Sequence, residues 1–122
     1  MQTLILALQI VLALGIYNVW LVRHNRATPY RGGGAENLRA EFAAYGLPVW
    51  MMYVVGGIKL AAATALLVGI WIPMLVPVAA AVLAFMMLGA ISMHVKIHDS
   101  LKQKMPAIAM LAMALLLVYL VV

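Results

Sequence analysis

The chain has 122 residues, of which 68% are hydrophobic and 9% charged, with a formal net charge of +5 and a mean hydropathy of +1.12. A water-soluble domain of this size keeps most of its residues near solvent and could not hide so much apolar surface. Hydrocarbon as the surrounding medium removes that conflict, and the lack of cysteine excludes thiol–disulfide chemistry, thiolate-held zinc and iron–sulfur clusters.

Residues 3–22 form an almost unbroken apolar run, long enough to cross a hydrocarbon core of ~30 Å. No Lys or Arg precedes it, and Trp20 and Arg23 mark its end. It therefore reads as a retained span rather than a cleaved secretory signal. A polar connector follows, broken by Pro29 and the run Gly32-Gly33-Gly34. Over residues 35–45, Leu38, Phe42 and Tyr45 recur at helical spacing while Glu36, Arg39 and Glu41 fall elsewhere. This segment is too short to span and predicts an amphipathic helix at the membrane interface. Spans over 48–70 and 73–95 are joined by a turn at Trp71, Ile72 and Pro73. Residues 96–104 are a second polar connector, and 105–122 the fourth span, with Pro106 expected in its first turn, where a missing N–H costs little. The expectation is an all-α integral membrane four-helix bundle, one domain over 1–122, whose principal partner is the lipid bilayer.

Charge sets the orientation. Arg23, Arg26, Arg31 and Arg39 lie on the connector after the first span, and Lys96, Lys102 and Lys104 on the one after the third. Of the eight basic residues only Lys59 lies within a span. Basic charge beside spans belongs with lipid headgroups, not nucleic acid. The positive-inside rule puts both connectors in the cytoplasm and both termini outside. Tyr17, Trp20, Trp50 and Tyr53 fit an inner aromatic belt, Trp71 and Tyr119 an outer one.

Gly57, Ala61, Ala65 and Gly69 repeat every four residues, a small-residue stripe that lets helix backbones approach closely. It reads first as a contact inside the bundle and second as a face for a homo-oligomer or a membrane-protein partner. The methionines suit an adaptable core rather than a copper path.

Lys59 carries the most information about function. It lies about 11 residues, or roughly 16 Å, into its span, and no span holds an Asp or Glu to pair with it. Such an amine needs a partner, a wet cavity or a neutral state. Gln9 is the strong polar side chain at similar depth, and Asn18, Ser92 and His94 could line the inner end of the same cavity. Arg39, Glu41 and Tyr45 on the interfacial helix are candidates for a lid over it. His94 and His98 would share a helical face if the third span continued through them, which makes them weak metal candidates. Two histidines of one helix do not provide the facing axial ligands of haem.

Phe42-Ala43-Ala44-Tyr45-Gly46-Leu47-Pro48-Val49-Trp50, then Val55-Gly56-Gly57-Ile58-Lys59-Leu60, Leu66-Leu67-Val68-Gly69 and Leu88-Gly89-Ala90 with His94 resemble the DoxX-like family over about residues 42–120. The resemblance implies a small four-helix protein of a bacterial inner membrane, with links to quinone-coupled oxidation, membrane redox complexes or, in animal relatives, receptor assembly. Lys59 stands where members often carry an acidic residue. The expected function is a membrane subunit that, through a pocket around Lys59 and His94, binds a quinone-like amphiphile or associates with a membrane redox complex. A non-catalytic scaffold for another membrane protein is the alternative, and a small transporter a third reading that lacks the usual membrane-embedded glutamate. The sequence leaves open whether a reaction is catalysed.

Overall fold

The computed structural model describes residues 1–122 and contains helices and turns only. Helix α1 (Gln2–Tyr17) continues as a π-helical turn over Asn18–Val22, and a 3-10 turn (Gly32–Gly34) leads into the short helix α2 (Leu38–Ala44). Helices α3 (Val49–Val68), α4 (Leu75–Lys96) and α5 (Leu101–Val121) follow. The segment Gln2–Val22 and helices α3, α4 and α5 each have the length and hydropathy of a membrane span. The four spans and the short helix expected from the sequence are all present.

The spans close into a ring in which α1 packs on α3 and α5, and α4 on α3 and α5. Leu12, Ile16, Leu66, Leu83 and Leu117 are fully buried at its centre, with Ala63, Ala80 and Ala114 where the backbones come close. Outward faces remain apolar: Val11, Leu14, Ile58, Val78, Phe85 and Leu115 are all exposed. So much exposed apolar surface marks contact with lipid, not water. Gln9 Nε2 donates to the Leu66 carbonyl at 2.8 Å and ties α1 to α3, and the Tyr17 hydroxyl meets Thr64 Oγ1 at 2.6 Å.

Three expectations are corrected. Helix α5 starts at Leu101, not residue 105, because Ser100 and Gln103 form a capping box: the Ser100 N–H donates to Gln103 Oε1 at 2.9 Å. One polar turn thus precedes the apolar run. Pro106 lies inside the helix rather than in its first turn, where it removes the hydrogen bond its N–H would make one turn back. The small-residue stripe does not line the bundle along its length either. Gly57 and Ala61 are exposed, Ala65 is half-buried and Gly69 is buried at the α3–α4 turn. The residues that let helices approach are Gly56, Ala62 and Ala63, on the neighbouring face.

Candidate functional site

At the end of the bundle that carries the basic connectors, four segments are held by one buried polar ring. It starts at the end of α4. The His98 N–H donates to the Val95 carbonyl and the Asp99 N–H to the His94 carbonyl, with His98 at φ 59°. This is a Schellman ending with histidine at the left-handed position. It brings Asp99 back onto His94, whose Nδ1 donates to Asp99 Oδ2 at 2.7 Å. The positions that usually share an apolar contact in this motif here share a charged hydrogen bond.

Asp99 also accepts from the Gly33 N–H at 3.0 Å. On the other side of His94, Tyr45 Oη lies 3.4 Å from Nε2 and donates to Glu41 Oε1 at 2.8 Å. Glu41 Oε2 stands 3.5 Å from Arg31 Nη1. Arg31 in turn donates to the carbonyls of Arg23 and Arg26 and accepts from Gln103 Nε2 at its own carbonyl, at 2.9 Å. Burial, with the Glu41 carboxylate beside it, pushes the Tyr45 phenol above the usual tyrosine range, so this side chain stays a neutral donor. The glycine run has a specific use here. A Cβ on Gly32 would lie 2.6 Å from the Tyr45 ring, and Gly33 adopts φ 63°.

Lys59 lies next to this ring. It is 8% exposed, and its Nζ stands over the Trp20 ring, 5.4 Å from the centroid. That contact needs Gly56, on which a Cβ would come within 2.6 Å of Trp20 Cε3. The π-helical turn of Asn18–Val22 carries Trp20 to this position. No carboxylate lies within 4.0 Å of the ammonium and no protein group accepts a hydrogen bond from it. A cation over an aromatic face recovers about 2 kcal/mol when desolvated, less than a fully buried charge loses.

Two cavities lie beside Lys59, and one of them is lined by both Lys59 and His94. One, of about 490 Å³, is lined by Asn18, Arg23, Arg31, Glu41, Lys59 and His94 among others, and is walled by Thr28, Pro29 and Tyr30 of the first connector. The other, of about 340 Å³, lies between α3 and α4 among Met51, Val55, Phe85, Met86, Gly89 and Met93. Lys59, Trp20, Glu41, Val19 and Ala90 line both. His94 lines the polar one only.

Of the residues singled out in the sequence, the structure gathers Lys59, Asn18, His94, Glu41 and Tyr45. Gln9 does not join them: it lies on Leu66 and lines a separate cleft with Gln2, Thr3 and Pro73. Ser92 is exposed and donates to the Leu88 carbonyl of its own helix. Arg39 is exposed and reaches Tyr53 Oη at 3.2 Å, away from the lid position. The face expected to pair His94 with His98 does not form, because α4 ends at Lys96, and both ring nitrogens of His94 already face Asp99 and Tyr45. Sequence reading missed Arg31, Asp99, Trp20 and Gln103.

A family model described as the DoxX-like family matches residues 32–120. The chain belongs to the DoxX-like family. The match takes in the glycine turn, α2 and the last three spans of this multi-pass membrane protein, and it begins beyond α1. It therefore covers most of the polar ring, while Trp20 and Asn18 lie outside it. No curated protein and no solved structure matches the chain.

Proposed function

We propose that this DoxX-like protein is a small membrane subunit that binds a quinone-like amphiphile, an oxygen-bearing head on an apolar body, at Lys59. One observation supports this most. An amine that is 8% exposed, with no protein acceptor, lines an apolar cavity of about 340 Å³ between two lipid-facing helices. A lysine at such depth costs at least ~2.5–3.5 kcal/mol on insertion scales, and a hydrogen bond to a ligand oxygen offsets that. Sites for amphiphiles are mostly apolar, with a few polar groups fixing the head. Met51, Val55, Met86 and Met93 offer an adaptable apolar lining, with Phe85 exposed at the lipid side. His94, acting through Tyr45 and Glu41, caps the wall behind Lys59. This reading places the protein in a bacterial inner membrane beside a redox complex, with basic connectors cytoplasmic and termini outside.

Native mass spectrometry of the gently solubilised protein, with a decyl-substituted benzoquinone as probe, tests this reading. The wild type retains the probe, and Lys59→Met loses it at unchanged helical content. Equal retention by the two proteins overturns the proposal.

A scaffold role is the second reading, and the outward position of Gly57 and Ala61 favours it. Close approach of another membrane helix at that face predicts that Gly57→Leu with Ala61→Leu releases a co-purifying membrane protein or second copy and leaves probe binding intact.

A further inference from the structure

We infer that the larger cavity is a second binding site, for a small hydrophilic anion arriving from the aqueous phase, and that Lys59 forms the wall between this anion and the amphiphile. The inference rests on the proposed amphiphile site for its second half only.

The two cavities differ in what builds them. The smaller is walled mainly by apolar side chains of α2, α3 and α4 with Val19 and Trp20, and Phe85 at its edge is exposed on the apolar outer surface. The larger is closed by Thr28, Pro29 and Tyr30, residues of a connector that stands outside the spans. Arg23, Pro29 and Tyr30 of its wall are exposed, which puts this cavity at the polar end of the bundle. Its charges are Arg23, Arg31 and Lys59 against Glu41, with His94 in the wall. Glu41 is already matched by Arg31 and by the Tyr45 hydroxyl, so Arg23 and Lys59 remain uncompensated. Asn18 adds an uncharged polar group. A concave site with a surplus of one sign and low-dielectric walls concentrates the opposite ion.

Lys59 is the second, independent observation. It is more than nine-tenths buried, has no acceptor, and lines this cavity as well as the apolar one. Its ammonium carries three donors, enough to meet a head oxygen on one side and an anion on the other. The two ligands come from different phases and meet across a shared wall made of Val19, Trp20, Glu41, Lys59 and Ala90, in which Glu41 is held by Arg31 and Tyr45.

Trp20 lines both cavities and reports on each. The protein with Trp50→Phe and Trp71→Phe keeps Trp20 as its sole tryptophan. In phosphatidylcholine nanodiscs, which expose both membrane faces, iodide quenches Trp20 on the order of tenfold more effectively than caesium. Lys59→Met removes this preference. Asn18→Leu, which fills the polar cavity alone, lowers iodide quenching and leaves quenching by brominated acyl chains unchanged. Gly89→Leu, in open space on the apolar side, does the reverse. Equal quenching by iodide and caesium overturns the anion site. So does loss of iodide quenching on replacing phosphatidylcholine by phosphatidylglycerol, which assigns the site to a lipid headgroup. Insensitivity to brominated chains with iodide quenching intact overturns the amphiphile reading and leaves the anion site standing.

Discussion

Tyr45 Oη donates its only proton to Glu41 Oε1 while lying 3.4 Å from His94 Nε2. The His94 contact is then a hydrogen bond only when Nε2 carries a proton, and Nδ1 already donates to Asp99. In that state the ring holds two cations, Arg31 and His94, and two anions, Glu41 and Asp99. A closed circuit of this kind joins the first connector, α2, α4 and the α4–α5 turn, and each member depends on the others.

Removing the hydroxyl at its centre strands two partners at once. Tyr45→Phe leaves Glu41 with Arg31 alone and His94 with Asp99 alone. The expected loss is about 1–3 kcal/mol of stability, the usual cost of an unsatisfied buried group. Chemical unfolding in detergent checks this, and a change within error of zero would show that the ring is decoration.

The same phenol predicts an alkaline response. Its folded-state ionisation lies above the unfolded value, so the folded form holds its proton where the unfolded form has lost it. Its contribution is complete below a pH of about 10 and fades as pH rises beyond that, toward the folded value. Wild type and Tyr45→Phe should gain equal tyrosinate absorbance up to a pH of about 11. An excess in the wild type means that Tyr45 ionises ordinarily.

The four spans were legible because each is an apolar run of sufficient length. Lys59 was legible because a charge in such a run has to be explained. The ring was not, because it depends on two turns that bring distant segments together: Gly33 at positive φ and the reversal at His98. Asp99 reads as a connector residue until that reversal returns it to His94. The start of α5 was in principle readable from Ser100 and Gln103, but Lys102 and Lys104 made the segment look like a loop. Gly57 drew attention through its spacing, which cannot say which face of α3 turns inward.

Adjacent glycines therefore make a direct comparison. A Cβ at Gly56 meets the Trp20 ring at 2.6 Å, whereas at Gly57 it meets nothing within 4 Å. Gly56→Ala should cost about 1–3 kcal/mol through overpacking and shift Trp20 emission. Gly57→Ala should leave both unchanged in the isolated protein. Equal effects would mean that α3 is rotated relative to the arrangement described.

His98 offers a stabilising substitution. It occupies φ 59°, where a side chain is strained and glycine is the usual residue, and it is exposed. His98→Gly should raise stability by about 0.5–1 kcal/mol, and His98→Val should lower it. Thermal unfolding of the two variants side by side gives the sign, and a lower Tm for the glycine variant contradicts the Schellman ending.

Lys59 should behave in the opposite way to an ordinary core residue. A packed side chain loses stability when replaced, but Lys59 brings a desolvated charge with only Trp20 and a distant Glu41 to compensate it. Lys59→Met keeps the chain length and removes the charge, so the bundle should become more stable by up to about 2–3 kcal/mol, the scale of the insertion penalty. An uncompensated charge that costs stability is the kind of group tolerated at functional sites. Unfolding of both proteins in the same detergent, with and without the benzoquinone probe, separates the contributions. The probe should stabilise the wild type and leave the methionine variant unmoved. If Lys59→Met instead unfolds the bundle, the amine is a packing element and the two cavities beside it lose their common donor.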